Sequence, residues 1–234
     1  MTAMERGRRP HGLGSSRRGR MALGLLLAVF LLPAAAVDGA APAGRAAAAN
    51  AEALAQVQRR IAQAPLLRGE FEQEKRVQGF KNPLRSSGRF LIAREHGVLW
   101  TTLKPFPSEM VLTRDRILNR RADGGMRVEA DARQQPALRQ VNAMMFALMS
   151  GDVKALSAHF DVQPELRPAM AWRLVLVPQA AAMAQMFGRI TLEGDRYVRQ
   201  VEIHERSGDR TLLRFANMME TPANLTADEA RRFD

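Results

Sequence analysis

SSGRFLIAREHGVLWTTLKPFPSEMVLT, residues 86–113, alternates with a period of two and is cut by short turns. An extended strand over Ser87–Glu95 puts Phe90 and Ile92 on one face, and Arg94 falls beside them. Glu95-His96-Gly97 has turn chemistry, Gly97–Leu103 alternates again, and a proline turn at Pro105 leads to a third run over Glu109–Thr113. Such a pattern reads as antiparallel strands joined by hairpins. The odd member is Arg94. A guanidinium among large apolar groups is costly unless its donors are paired, whereas at a barrel rim it would simply reach water.

Working outward, the same period recurs on both sides. In LRGEFEQEKR (Leu67–Arg76) one face holds Leu67, Phe71 and Gln73, and charged groups hold the other, as in a half-buried antiparallel strand. Further strands are expected at Ile117–Arg121, Gly125–Ala130, Ala155–Val162, Met170–Val177, Arg189–Glu193, Tyr197–Glu205 and Arg210–Asn217. Turns fall at ADGG (122–125), EGD (193–195) and SGD (207–209). Met170, Trp172, Leu174 and Leu176 share one face of their strand. Helical spacing appears at Ala51–Ala64, with Leu54, Val57 and Ile61 in a stripe and Pro65 as the stop, and at Pro136–Ser150, with Leu138, Val141, Met145 and Leu148. Ala180–Phe187 is a short helical or turn segment. These elements make a mainly β (α+β) chain. Its expected fold is a single curved antiparallel sheet, an unclosed barrel covered by two or three helices.

The chain opens differently. Six arginines precede Met21–Leu32, an apolar run of twelve residues, and then come Pro33 and Ala34-Ala35-Ala36. Basic, apolar and small-residue regions in that order make residues 1–36 an expected cleaved signal peptide, and the run is too short to span a bilayer of roughly 30 Å. Residues 37–50, rich in alanine, glycine and proline, read as a linker, leaving 51–234 as the domain. Six arginines and one glutamate go with the leader, so the formal charge falls from +11 to +6. The remaining charges are mixed in sign, which excludes a nucleic-acid stripe. With no cysteine, the fold is stabilised by burial and the sheet ladder rather than by disulfides.

The inventory for catalysis is thin. His11, His96, His159 and His204 show no metal-ligand spacing, no G-x-S-x-G elbow occurs, and the carboxylates fall on charged outer faces. No enzyme, catalytic residue, metal or cofactor is expected. Methionine stands out instead: VNAMMFALM (141–149) and AAAMAQMF (180–187) concentrate a flexible, polarizable side chain that repacks around varied apolar guests.

The helix followed by Phe71-x-Gln73, then a strand from Gly88 to Arg94, an aromatic strand with Trp100 and a turn at Pro105, resembles the LolA family of periplasmic lipoprotein carriers. Where the archetypal carrier has a proline after the arginine, Glu95-His96 stand here, as in a divergent branch. The resemblance implies an unclosed barrel with an apolar cavity for acyl chains of a lipoprotein or a related lipid. It also implies an inner-membrane loading complex or exporter, an outer-membrane receptor, a monomeric periplasmic protein, and an arginine at the position of Arg94 that hydrogen-bonds the helical lid. Strand parity and helix spacing aim Phe71, Phe90, Ile92, Trp100, Leu112, Met145, Leu148, Trp172 and Leu174 at that cavity, with Arg94 beside them. An alternative function is a lipid-sensing regulatory module of the RseB type, whose members carry a second domain.

Overall fold

A long helix, α1 (Ala41–Arg60), precedes six strands: β1 (Leu66–Arg76), β2 (Leu84–Ala93), β3 (Gly97–Lys104), β4 (Ser108–Leu112), β5 (Arg116–Arg120) and β6 (Met126–Asp131). Two helices follow, α2 (Ala137–Ser150) and α3 (Val153–Ser157), then β7 (Phe160–Leu166), β8 (Trp172–Pro178) and the short α4 (Ala181–Met186). Strands β9 (Phe187–Gly194), β10 (Val198–Glu205) and β11 (Arg210–Met219) complete the sheet, and α5 (Ala227–Arg231) ends the chain. The computed structural model describes residues 41–120, 126–131 and 137–233, with backbone alone for 41–43, 126–131 and 137–142. The expected leader, the turn at 122–125 and the side chains of Leu138 and Val141 lie outside that description.

Eleven strands form one antiparallel sheet in the order β6-β5-β4-β3-β2-β1-β11-β10-β9-β8-β7. Because β1 pairs with β11, the two ends of the strand series meet in the middle, and β6 and β7 are left as unpaired edges. The barrel is therefore open. The edge at β7 is protected by Pro164, which cannot donate to a further strand, and by α1, whose Asn50 Nδ2–H donates to the Val162 carbonyl at 3.3 Å.

The expected elements are present, with α5 in addition and three further differences. Helix α1 starts at Ala41, so the stretch expected to be a linker up to residue 50 is helical, although residues 44–50 are exposed. Its alanines favour a helix without needing an apolar stripe. The strand expected over Ala155–Val162 is instead α3 followed by β7 from Phe160. Asp152 Oδ1 accepts from the Ala155 N–H at 3.1 Å and Gln58 Oε1 from the Val153 N–H at 3.0 Å, so two partners supply the start of a helix too short to show a period. Met170 leaves the buried face it was assigned: it sits at φ +64° in the β7–β8 turn and is 59% exposed.

Side chains on the concave face build one cluster around Phe71, Phe90, Ile92, Val98, Trp172, Leu174, Leu176, Ile190 and Leu192, completed by Val57 of α1 and Leu156 of α3. A second cluster lies on the convex face of β1–β5, where Leu66, Leu91, Leu99, Val111 and Leu118 are covered by Phe233 and Leu225. The C-terminal segment is thus a strap across the outside of the sheet. Arg68 fastens it with two donors, 2.8 and 2.7 Å, to the Glu229 carboxylate and further bonds to the Pro222 and Asn224 carbonyls. Arg232 adds a bond to Thr101 Oγ1 at 2.9 Å and an ion pair with Glu109. Thr226 and Glu229 close a capping box at the start of α5.

Candidate functional site

Two short motifs, Gly69-Glu-Phe71 on β1 and Gly88-Arg-Phe90 on β2, face each other in reverse: Gly69 pairs with Phe90 and Phe71 with Gly88. Each glycine leaves room for the opposite ring. A Cβ at Gly88 would lie 2.9 Å from the Phe71 ring and 1.9 Å from the Thr101 carbonyl oxygen, and one at Gly69 would lie 2.6 Å from the Phe90 ring. Phe71 therefore leans across β2 and stacks on Trp100 of β3, with centroids 3.8 Å apart. Phe90 meets Phe215 of β11 edge-on at 5.3 Å, and Phe215 meets Trp100 at 6.2 Å. Four rings from four strands make one aromatic floor. Phe215 was not singled out in the sequence, although the alternation of its strand would have aimed it inward.

Over the concave face stands α2. Met144, Ala147 and Leu148 are buried, and Met145, Phe146 and Met149 pack against the cluster while staying half-buried. Trp100 and Met110 are half-buried as well. A cleft of about 630 Å³ opens between α2 and the ends of β2–β4, lined by Leu112, Ala143, Phe146 and Ala147, with Arg94, His96, Arg114, Glu95 and Asp152 at its polar side. Its volume lies within the range of about 300–1,000 Å³ usual for ligand pockets. Apolar walls with a charged border suit a guest with a greasy body and a polar head.

The ten residues picked out in the sequence divide into groups. Phe71, Phe90 and Trp100 belong to the aromatic floor, and Leu112 and Arg94 line the cleft, with Ile92 beside them in the cluster and Met145 and Leu148 on the helix above. Trp172 and Leu174 join the same cluster at its other end, 1% and 0% exposed. There Trp172 Nε1–H donates to the Asp195 carbonyl at 2.6 Å and its ring lies against Gly194. Phe71, at 2%, and Phe90, at 4%, are buried to a similar degree.

Arg94 stands one residue beyond β2. Its Nε–H donates to the Ala64 carbonyl at 2.9 Å and its backbone N–H to the Pro65 carbonyl at 3.0 Å. The guanidinium is thus half-buried and partnered, but its bond goes to the segment joining α1 to β1 and not to α2. That segment matters to α2 indirectly: Ile61 lies 3.1 Å from the position a Cβ would take at Gly151, just past the end of α2.

Among the described residues no three His, Asp or Glu side chains gather as metal ligands, and no helix is long and apolar enough to cross a membrane. The profile of the family described as outer membrane lipoprotein carrier protein LolA matches residues 62–229. Solved structures with a similar arrangement include a putative outer membrane lipoprotein-sorting protein domain from Vibrio parahaemolyticus, 10% identical, with a TM-score of 0.44 over 80% of this chain and 98% of that one. Others are a DUF1329 family protein from Desulfovibrio piger, 10% identical, TM-score 0.43, over 75% and 95% of the two chains, and MucB, 16% identical, TM-score 0.42, over 77% and 62%. No curated protein matches in sequence.

Proposed function

The chain belongs to the LolA family, and from that premise we propose that it is a periplasmic carrier which shields the acyl chains of a lipoprotein or related lipid between two membranes. The observation that carries the reading is the half-buried aromatic and methionine surface of Trp100, Met110, Met145, Phe146 and Met149 beside an apolar cleft. An ordinary core seals such groups; here α2 leaves them partly open. Phe71, Phe90, Ile92, Trp100, Leu112, Met145 and Leu148 form the acyl site, Trp172 and Leu174 support it, and Arg94 stands at its mouth. Cargo arrives from an inner-membrane loading complex or exporter and leaves to an outer-membrane receptor. The carrier works as a monomer, without a cofactor and without chemistry on the cargo.

A fluorescent fatty-acyl probe tests this. It should bind with a blue-shifted emission and be displaced better by long chains than by short ones. At roughly 0.8 kcal/mol per buried methylene, two extra carbons should strengthen competition several-fold after the losses of chain ordering. A response that is flat in chain length would overturn the reading.

A further inference from the structure

One end of the sheet collects exposed apolar side chains. Pairing of Lys75 with Leu84, of Ser87 with Lys104 and of Arg76 with Arg210 places the β1–β2, β3–β4 and β10–β11 tips at that same end. Of the eight large apolar side chains exposed among the described residues, Phe80, Leu84, Leu103, Phe106, Val177 and Met186 lie there. Phe80 is 68% and Phe106 80% exposed. Burying such rings would be favourable, yet none of the described residues covers them.

The tips are held, not loose. Phe80 N–H closes a turn on the Val77 carbonyl at 3.0 Å, and Gln78 N–H donates to Asp209 Oδ1 at 3.0 Å, tying the β1–β2 tip to the β10–β11 tip. Pro105 and Pro107 restrict the backbone on either side of Phe106. Lys104 and Pro105 share a cleft with Arg85 and Ser86, so the β1–β2 and β3–β4 tips are neighbours.

Cations are interleaved with these rings. Lys81 follows Phe80, Arg85 follows Leu84, and Lys104 precedes Phe106 by two residues. Arg76 completes the set, and the acids at this end are paired: Glu74 with Arg76 and Arg85, and Glu205 and Asp209 with Lys75. Protruding apolar groups ringed by excess positive charge match the boundary of an anionic bilayer, whose tails accept side chains of any shape while its headgroups attract lysine. A protein partner would instead need pockets cut to two projecting rings.

We propose that the β1–β2 and β3–β4 tips dock on an anionic lipid surface, with Phe80 and Phe106 inserted and Lys81 and Lys104 at the headgroups. This docking is separate from the acyl cleft, which lies at the β2–β3 turn, the opposite end of the strands.

The chain has no cysteine, so Phe106→Cys gives a single attachment point for an environment-sensitive dye. With vesicles of phosphatidylcholine and phosphatidylglycerol in low salt, the dye should brighten and blue-shift, and the unlabelled protein should float with the vesicles. Phosphatidylcholine alone should bind far more weakly. The double variant Phe80→Ser/Phe106→Ser should lose at least tenfold in vesicle affinity while keeping its unfolding midpoint and its acyl-probe binding. Lys81→Gln and Lys104→Gln should each lose roughly fivefold, the equivalent of about 1 kcal/mol per cation near such a surface. Unchanged binding by the double phenylalanine variant would overturn the proposal. So would the absence of any binding to protein-free anionic vesicles, or recruitment that occurs only when a membrane protein is present. Loss of the acyl probe with vesicle binding intact would count against the carrier reading alone.

Discussion

The concave face over β7–β10 and the concave face over β1–β4 are built from the same alternating pattern, yet the first is closed over β8 and β9 and the second is left ajar at Trp100 and Met110. Over the first, Val57 of α1 and Leu156 of α3 join Leu174, Leu176 and Leu192 in a cluster where each is 0% exposed. Over the second, Trp100 and Met110 stay half-buried. The difference lies in the helices and not in the strands. Helix α3 is fixed by Asp152 and Gln58 at its first turn, and Arg60 of α1 bonds the Arg167 carbonyl at 3.0 Å in the β7–β8 turn. Polar anchors hold the apolar contacts of that half in one geometry. Among the described side chains of α2, residues 143–150, none makes such an anchor.

The largest effect should separate the two regions directly. Leu174→Ala removes a side chain from the sealed half and should cost about 3 kcal/mol, through lost burial and a cavity that cannot collapse. Trp100→Ala deletes more atoms but from a surface already in partial contact with water, so its cost should be roughly half as large. Acyl-probe affinity should show the reverse order, falling strongly for Trp100→Ala and little for Leu174→Ala at temperatures where both are folded. Urea unfolding and probe titration read the two quantities. If Trp100→Ala proved the more destabilising and the weaker in its effect on binding, the division of the concave face would be wrong.

A second effect sharpens the contrast on the other side of the sheet. The convex face of β7–β11 carries charged pairs such as Arg173 with Glu193 and Glu202 with Arg210, whereas that of β1–β5, besides its own charged groups, holds an apolar cluster that depends on the strap. The bonds from Arg68, and then the backbone at Thr226, hold the Glu229 carboxyl at about 2, well below its ordinary 4.5. A carboxyl depressed in the folded state contributes its stability in full above the ordinary value and loses it as pH falls from about 4.5 towards 2. The contribution should be about 2 kcal/mol, since the pair is largely but not wholly buried. Stability measured by urea from pH 6 to pH 2 should drop through that window, and Glu229→Gln should remove most of the slope there. An unaltered slope in the variant would mean that the strap is held by its other contacts, Phe233, Leu225 and Arg232, and not by the Glu229 carboxylate.

The strap also shows where the sequence stops being legible. Period two in residues 67–113 gave the strands, their turns and the concave face, because each residue there alternates between two simple environments. FLIA (90–93) breaks that rule: all four side chains are buried, since β2 is covered on both faces. Thr226-x-x-Glu229 was a readable capping box, but nothing local told which surface its helix would cover. The same holds for the cleft. Phe71, Phe90 and Trp100 could be placed on one face, while the stacking of Phe71 on Trp100 follows from the register that sets Gly88 between them. Parity names a face; only the register names a neighbour. Arg94 illustrates the limit, for its side was predicted and its partner was not.

Arg94 supplies the smallest and most discriminating effect. Its Nε–H bond to the Ala64 carbonyl clamps the end of β2 to the chain leaving α1, next to Ile61, against which the joint after α2 rests. A charge-assisted hydrogen bond contributes about 1.5–3 kcal/mol when buried, and less at a half-open mouth. If cargo enters by moving α2 away from β2–β4, the clamp stabilises the closed, empty form and opposes loading, because a ligand shifts an equilibrium only through its differential affinity for the two states. Arg94→Leu removes the clamp and adds apolar lining beside Leu112. The variant should hold the acyl probe several-fold more tightly and release it more slowly to acceptor vesicles, with a small change in the urea midpoint. Arg94→Lys keeps the charge but not the planar donor, and should fall between the two. An arginine that merely reaches water would leave both rates unchanged. Weaker binding by folded Arg94→Leu, restored in part by lysine, would instead make Arg94 a contact for the cargo head group, and the clamp would be refuted.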